Sequence, residues 1–420
     1  MKIDLIVFPM HDWKKCEKEG FRTRDAHLIR HFEKNNNIGK ILIVDRPFTL
    51  LEMILKRRSL RPKRGEVVKK ESFLSLTKVS KKIHVLDIFS AQIFQPLILR
   101  RDWWDYIFRK EPIIRSINDA SLLLKLENRV LFLFNPLSTG VIGKLGEKLV
   151  VFDALDNWIR HLEMKDRRGW IARGYEIIKR EACVIFANSE NTQKLMENPK
   201  TKPILVTNGV DKNFFKVKEN IIPEDIKNIP KPIIGYAGKI AKRINVELLK
   251  FIASELPNFS FVLIGQFLDK GWIKSLFKYK NIFFLGDKHY SELPYYLNNF
   301  DICIIPHNLG SLESGEDPIK LYEYLAAGKP VVATNVINNN LFKYGVSVAS
   351  CKEFFLKQIT YWFKKLSNGE LSKEKIKSNI DPSFYWENKA RFIIKKIEET
   401  YKEKEGKVYG EKNLHNQKNI

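Results

Sequence analysis

Lys320 and Glu323 stand three residues apart in Pro318-Ile319-Lys320-Leu321-Tyr322-Glu323-Tyr324-Leu325-Ala326-Ala327-Gly328, so on a helix they share one face. Pro318 is tolerated at a first helical position, because the N–H it lacks has no helical partner there. Ile319, Tyr322, Leu325 and Ala326 repeat at helical intervals, and Gly328 ends the segment before the apolar strand Pro330-Val331-Val332. A helix N-terminus, a lysine beside it and a carboxylate one turn later suit a nucleotide, with positive field for phosphate and an acceptor for ribose hydroxyls. A capped surface helix with one ion pair has the same spacing. The neighbours therefore matter. Gly238-Lys239 and Arg243 follow an apolar run at 233–237, and two cations beside a helix N-terminus fit a diphosphate. Gly265 and Gly286 close two further apolar runs, where a backbone without a side chain lets a ligand approach. In the first half, Asp153 and Asp156 end another run, placed for a general base or for helix caps. Arg22 and Arg24 follow the first apolar run, placed for phosphate or an acidic acceptor, or as a solvated basic loop.

The elements that must position these residues alternate between strand and helix. Residues 2–8, 41–44, 83–88, 130–134, 149–152, 184–186 and 204–206 read as buried strands, with helical patterns between several of them. A turn, Thr207-Asn208-Gly209-Val210-Asp211, and a polar, Pro-containing stretch at 212–232 separate this series from a second. The second runs through strands at 233–237, 261–264, 282–285 and 302–305. Two βαβ series predict two doubly wound domains with a cleft between them, and ligands at the carboxyl ends of the strands. Residues 350–366 and 383–403 read as amphipathic helices, and the tail 404–420 as disordered. Residues 48–82 are basic and weakly periodic, either a surface insertion or an amphipathic segment around Leu50, Leu51, Met53, Ile54, Lys56, Arg57 and Arg58. In 92–108, Phe94, Trp103, Trp104, Tyr106 and Phe108 interleave with Arg100, Arg101 and Arg109, which reads as a core-facing helix, a stacking surface or a lipid-facing helix.

Composition narrows the function. The chain has 420 residues, enough for two domains, and its 44% hydrophobic and 29% charged content is that of a globular protein. A net charge of +24 points to a polyanion: nucleotide phosphates, nucleic acid or an anionic membrane face. No recognisable nucleic-acid module surrounds the basic residues, so nucleic acid is not expected as a partner. There is no GxGxxG after the first strand, which argues against a dinucleotide-dependent oxidoreductase, and no Walker A sequence or acidic metal cluster. Phosphate charge is then met by protein rather than by Mg²⁺, with no metal and no cofactor expected. The four cysteines lack metal-ligand spacing, Cys183 and Cys303 read as buried small residues, and the pattern fits a reducing compartment. No run reaches the roughly 18 apolar residues of a membrane span, and the first residues lack a signal-peptide layout, so a cytoplasmic location is expected.

Taken together, Ala187-Asn188-Ser189, Asn208-Gly209-Val210-Asp211, Gly235-Tyr236-Ala237-Gly238-Lys239, Phe300-Asp301-Ile302-Cys303-Ile304-Ile305-Pro306 and the segment 318–332 resemble the two-Rossmann (GT-B) glycosyltransferases of the group 1 type, in the large retaining group that builds polysaccharides. The resemblance is dense from about 183 to 335, and in the first half it extends only to the βα rhythm and to Phe152-Asp153-Ala154-Leu155-Asp156. It implies an α/β fold of two Rossmann-like domains facing across a cleft: 1–207 for the acceptor, 208–384 for the donor, and a helix at 385–403 crossing back. It implies metal-independent transfer of a sugar from a nucleotide-sugar donor to a glycan or lipid-linked acceptor, at the inner membrane face, in cell-surface polysaccharide biosynthesis. Glu323 matches the family's ribose-contacting glutamate, Lys320 a subgroup lysine near the phosphates, and Lys239 and Arg243 the residues that hold the diphosphate. Gly265 and Gly286 lie where backbone approaches the base, and Arg22, Arg24 and Asp156 lie on the acceptor side. Asp156, with Asp153 second, is the candidate for receiving or orienting the acceptor hydroxyl. The family's earlier glutamate is replaced by Gly315, with Glu316 one residue out of register and Glu313 further upstream. A nucleotide-sugar epimerase on the same plan, a basic nucleic-acid-binding protein and a noncatalytic sugar- or nucleotide-binding module are the competing readings.

Overall fold

The computed structural model describes residues 2–55, 61–71, 73–90, 98–99, 103–216, 221–308, 317–334 and 345–417. The chain divides into two compact units, Met1–Val206 with Lys389–Ile420, and Thr207–Asn388.

The first unit carries β1 (Ile3–Phe8), β2 (Ile38–Val44), β3 (Phe48–Thr49), β4 (Glu66–Glu71), β5 (Leu74–Lys78), β6 (Ile83–Ser90), β7 (Arg129–Leu133), β8 (Leu149–Ala154), β9 (Val184–Ala187) and β10 (Ile204–Leu205). Its sheet runs β10-β9-β8-β7-β1-β2-β6-β5-β4, with β3 paired to β6. The pairs from β10 across to β6 are parallel, and β5 and β4 extend the sheet antiparallel. β1 is buried at every position, as expected of a parallel strand covered on both faces. Within 48–82 the β4–β5 hairpin occupies 66–78, beyond the segment around 50–58 considered amphipathic. Glu66-Val67-Val68-Lys69-Lys70-Glu71 alternates at period two rather than at helical period, and it caps the sheet edge with charge. A helix does form at Leu50–Leu55, but the basic residues Lys56, Arg57 and Arg58 lie outside the described residues.

The second unit carries β11 (Ile233–Ala237), β12 (Ser260–Ile264), β13 (Ile282–Gly286), β14 (Ile302–Ile305), β15 (Val331–Thr334) and β16 (Val346–Ala349), all parallel. Their order, β13-β12-β11-β14-β15-β16, places the first and fourth strands side by side. The chain winds outward from there in both directions, so the crevice at the carboxyl ends of β11 and β14 is this unit's topological switch point. Alternation along each strand separates two apolar layers. Ile233, Ala237, Val262 and Cys303 pack with Leu321, Tyr324 and Leu325, while Ile234, Tyr236, Phe261 and Leu263 pack with Leu249, Ile252, Phe355 and Ile359. The helix Ile319–Ala326 thus lies on one face of the sheet and Val246–Glu255 on the other.

The last helix runs from Trp386 to Gln417, well past residue 403. Its apolar stripe of Ile393, Ile394, Ile397 and Tyr401 is buried, and Tyr401 donates to Asn128 Oδ1 at 3.0 Å. Beyond that stripe the Lys- and Glu-rich sequence keeps helix propensity without an apolar pattern, so periodicity alone stops too early. All four cysteines are free thiols; Cys303 is buried as expected, whereas Cys183 is only half-buried. Among the described residues no helix is long and apolar enough to cross a membrane.

Candidate active site

In the second unit, three glycine-ended strands hold one another. The Gly238 N–H donates to Ile264 O at 2.8 Å, and the Gly265 N–H to Gly286 O at 2.7 Å. Gly238 and Gly265 have φ of 152° and 148°, a region that residues with a Cβ rarely adopt. A Cβ on Gly265 would lie 1.9 Å from Gly238 O, and one on Gly238 would lie 2.6 Å from the Lys320 Nζ. Gly265→Ala is expected to lower the unfolding free energy by roughly 2–4 kcal/mol, from backbone strain plus the clash. Urea titration checks this, and an unchanged midpoint would contradict the tight approach.

Lys320 reaches this turn from the helix Ile319–Ala326, which Pro318 precedes as the N-cap rather than occupying its first turn. Its Nζ donates to Tyr236 Oη at 2.9 Å and sits 4.4 Å from the Tyr236 ring centroid. The Tyr236 hydroxyl donates to Lys239 O at 3.1 Å and lies 3.5 Å from His307 Nε2. His307 follows β14, and its N–H donates to Thr334 Oγ1 at 3.2 Å. Burial, then the charge of Arg243, pulls the Lys320 ammonium down to about 7 against the opposing Glu323. Burial, Lys320 and Arg243 together hold His307 well below its usual range, so it stays neutral. Lys320, Arg243 and a neutral His307 thus gather at the switch point with Gly238 and Lys239, a positive site that an anion would complete. Glu323 is buried on the same helix and acts on Lys320 electrostatically. Gly286, also in the left-handed region, has open space where a Cβ would project. Glu313, Gly315 and Glu316 lie outside the described residues.

Two further contacts fix this helix. Asp317 accepts the Asn208 backbone N–H and the Tyr322 hydroxyl, the latter at 2.5 Å, while the Asn208 side chain donates to Asp317 O at 2.5 Å. The Tyr324 hydroxyl accepts from Ala237 N at 2.7 Å and lies 3.2 Å from Ala237 O. Tyr236 and His307 were not singled out by the sequence. A tyrosine in an apolar strand and a histidine after Pro306 carry no spacing signal.

In the first unit, two of the four expected site residues meet each other. Arg24 is the first residue of the helix Arg24–Glu33 rather than part of an open loop. It pairs with Asp153 through Nε and Nη2 at 2.8 and 2.9 Å, and neither side chain exceeds 2% exposure. This bidentate pair is closed, so the arrangement removes Asp153 from general-base duty and Arg24 from the acceptor surface. Arg22 pairs with Glu19 at 3.0 Å. Asp156 is half-buried after β8, with its Oδ1 accepting the Asn157 N–H at 2.8 Å. Some of the aromatic–basic residues pack inward, while Arg109 stays exposed and pairs with Asp105 at 2.8 Å. Trp103 and Phe108 are buried, and Trp104 lies 4.8 Å from the Arg46 guanidinium and 4.4 Å from that of Arg167. Phe94, Arg100 and Arg101 lie outside the described residues. Two features of this edge were missed. Lys14 contacts Asp87 and lies 3.8 Å from Asp45, and His11 pairs with Asp25 at 3.2 Å.

Comparison with known proteins adds to this geometry. Residues 217–341 match the family described as Glycosyl transferases group 1. TuaH of Bacillus subtilis, named for teichuronic acid biosynthesis as a glycosyltransferase, is 26% identical over 200 residues, 44% of this chain and 50% of its own length. The match therefore spans about half of that relative. Among solved structures, a sucrose-phosphate synthase from Thermosynechococcus elongatus superposes with a TM-score of 0.64 at 11% identity, covering 96% of this chain and 99% of that one. The Anabaena protein HepE, in complex with UDP and glucose, gives 0.59 at 13% identity, covering 95% and 99%. The trehalose-phosphate synthase of Burkholderia vietnamiensis gives 0.63 at 8% identity, covering 96% and 99%. The two-Rossmann fold is common to these three structures.

Proposed function

We propose that the protein moves a sugar from a nucleotide-sugar donor to a glycan or lipid-linked acceptor in cell-surface polysaccharide biosynthesis, a reading supported by the match of residues 217–341 to the group 1 glycosyl transferases. The observation that carries this reading is the convergence of Gly238, Lys239, Arg243 and Lys320 at the switch point of the second unit. A nucleoside diphosphate leaves with new charge on its terminal phosphate. Fixed cations in a partly dry site stabilise that charge more strongly than water does. Lys320, Arg243 and Lys239 take this role, without a metal or other cofactor. Glu323 faces the ribose, and the open space beside Gly286 leaves room for the base. Asp156 orients the acceptor from the first unit, with the half-buried Arg22 beside the helix that precedes Arg24. Likeness to TuaH supports a glycan acceptor, and HepE's complex supports a UDP-sugar as the first donor to try. The net charge of +24 supports a location on the cytoplasmic face of an anionic membrane.

A thermal-shift panel of UDP-, GDP-, ADP- and CMP-sugars tests the donor site. One base should stabilise the protein by about 2.7 kcal/mol when present at about 100 times its dissociation constant. A panel without any shift would sink the donor reading. A new epimer formed from donor alone would favour an epimerase instead.

A further inference from the structure

The donor chemistry accounts for the glycine turns of the second unit, but not for the segment that leaves one of them. After Gly265 the chain runs through the short helix Lys270–Ile273 and the turn Lys274–Leu276 into β13, the edge strand of the sheet. Ile273 and Leu276 are fully buried in the layer that holds Leu249, Ile252 and Phe261, which fixes the segment's inner side. Its outer side is apolar as well. Leu268, Trp272 and Phe277 are 40%, 41% and 54% exposed. Single apolar residues on a surface are ordinary, whereas a cluster of large ones marks a surface that meets a partner. The Trp272 indole N–H donates to Ile244 O at 2.9 Å, and its backbone N–H to the Asp269 side chain at 3.1 Å. The polar edge of the ring is thereby tied to the protein, and its apolar part stays outward. Phe277 packs edge to face on Phe284 at 5.1 Å, and Phe284 lies 5.7 Å from Phe267, so three rings form a row across β13.

Charge indicates what covers this patch. Residues 266–280 carry Lys270, Lys274, Lys278 and Lys280, all exposed, against a single acidic residue, Asp269. Asp269 in turn lies 3.9 Å from another lysine, Lys242. The Lys270 ammonium sits 5.9 Å from the Phe267 ring and that of Lys278 5.6 Å from the Tyr279 ring, so the cations border the aromatic surface. A second copy docking through the same patch would set lysines against lysines, and like charges oppose that pairing. A purely apolar partner would strip water from the ammonium groups without supplying counter-charge. A bilayer with anionic headgroups meets both needs. Lysine stems lie along apolar surface while their ammonium groups reach lipid phosphates, and aromatic rings settle at headgroup level.

Resting on the membrane-face reading, we infer that this patch of the second unit docks on an anionic bilayer, with Leu268, Trp272 and Phe277 entering the headgroup layer and Lys270, Lys274 and Lys278 pairing with lipid phosphates. Docking there has a consequence for the donor turn. The Ile240 N–H donates to Gln266 O and the Leu268 N–H to Ile240 O, both at 2.9 Å, so the start of the patch is stitched to the loop that carries Lys239. Lipid contact at Leu268 and Trp272 then holds the phosphate-binding turn at a set distance from the bilayer surface.

Sedimentation of the full chain with vesicles of mixed phosphatidylcholine and phosphatidylglycerol, against vesicles of phosphatidylcholine alone, tests this without turnover. Wild-type protein should prefer the anionic vesicles, and added salt should release it. One lysine near an anionic surface is worth roughly fivefold in affinity, so Lys270→Gln, Lys274→Gln and Lys278→Gln combined should lose about a hundredfold. The melting temperature should not move, because all three side chains are exposed. Trp272 is the one exposed tryptophan of the eight in the chain, all of them described. Its fluorescence in the wild type, which needs no variant to fold, should be quenched by anionic vesicles with brominated acyl chains, and Trp272→Phe should remove that quenching. Wild type without a preference for anionic vesicles at low salt overturns the membrane location together with the patch. Wild-type affinity in the triple variant, no quenching in the wild type, or quenching unchanged in Trp272→Phe, overturns the patch alone. Tighter binding of duplex DNA than of vesicles, lost in the same triple variant, would make the patch a nucleic-acid surface and also overturn it. Donor binding, read by the nucleotide-sugar panel, stands or falls separately from all of these.

Discussion

Lys320→Ala is expected to lower turnover by about 10²–10³, the usual cost of deleting one preorganised group at a developing anion. The fold should tolerate it. Burial and the charge of Arg243 already disfavour this ammonium and outweigh the buried Glu323 that favours it. A melting temperature at or above wild type is therefore expected alongside the loss of activity, and a collapsed melting curve would instead make Lys320 structural. The same lysine gives a pH signature. It titrates at about 7 in the folded protein against an ordinary value of 10.5, so between those values the unfolded chain holds the extra proton. Its contribution to stability is then least favourable below pH 7 and improves as pH rises toward 10.5. Binding a diphosphate reverses that preference. At pH 8 each UDP bound should bring in about 0.9 proton. Affinity should fall above neutrality by up to about tenfold per pH unit. Calorimetry in two buffers of different ionisation enthalpy measures the proton count, and zero uptake at pH 8 would remove Lys320 from the phosphate site.

Arg24→Ala is expected to cost about 3–5 kcal/mol of stability, because it leaves the carboxylate of Asp153 buried with no counter-charge. The apolar double replacement Arg24→Met with Asp153→Leu should recover most of that loss, since the pair's attraction is largely offset by its desolvation. Denaturant titration of the three proteins decides between two roles for Asp153. If Asp153→Asn abolished transfer without loss of stability, its place as a closed structural partner would fail.

The second unit was the more legible one because its candidate site residues are local in sequence. Gly238, Lys239 and Arg243 follow one strand, Lys320 and Glu323 share one helix, and glycines mark the turns. What joins them was not legible. Tyr236 and Lys320 are 84 residues apart in sequence, and Tyr236 and His307 are 71 apart. Only the strand order β11-β14 brings their carboxyl ends together. The first half hid more. Arg24 and Asp153 both looked like ligand-facing charges, because composition does not reveal that two ions 129 residues apart neutralise one another. His11 stood in a polar loop with no periodic neighbour, and its partner lies 14 residues on, across a short helix. The hairpin at 66–78 was obscured by its lysines, which suggested a surface before they suggested an edge strand.

The paired contacts of Tyr324 with both polar groups of Ala237 act as a rivet through the middle of the second unit. Ala237 is the last residue before Gly238, and Tyr324 lies one turn beyond Lys320, so the lysine and the glycine turn travel as one cassette. An engineer swapping nucleotide preference between relatives would do well to move this cassette whole. A helix transplanted without its tyrosine would bring a lysine whose distance from the turn is no longer gauged, and specificity would blur before the fold itself gave way.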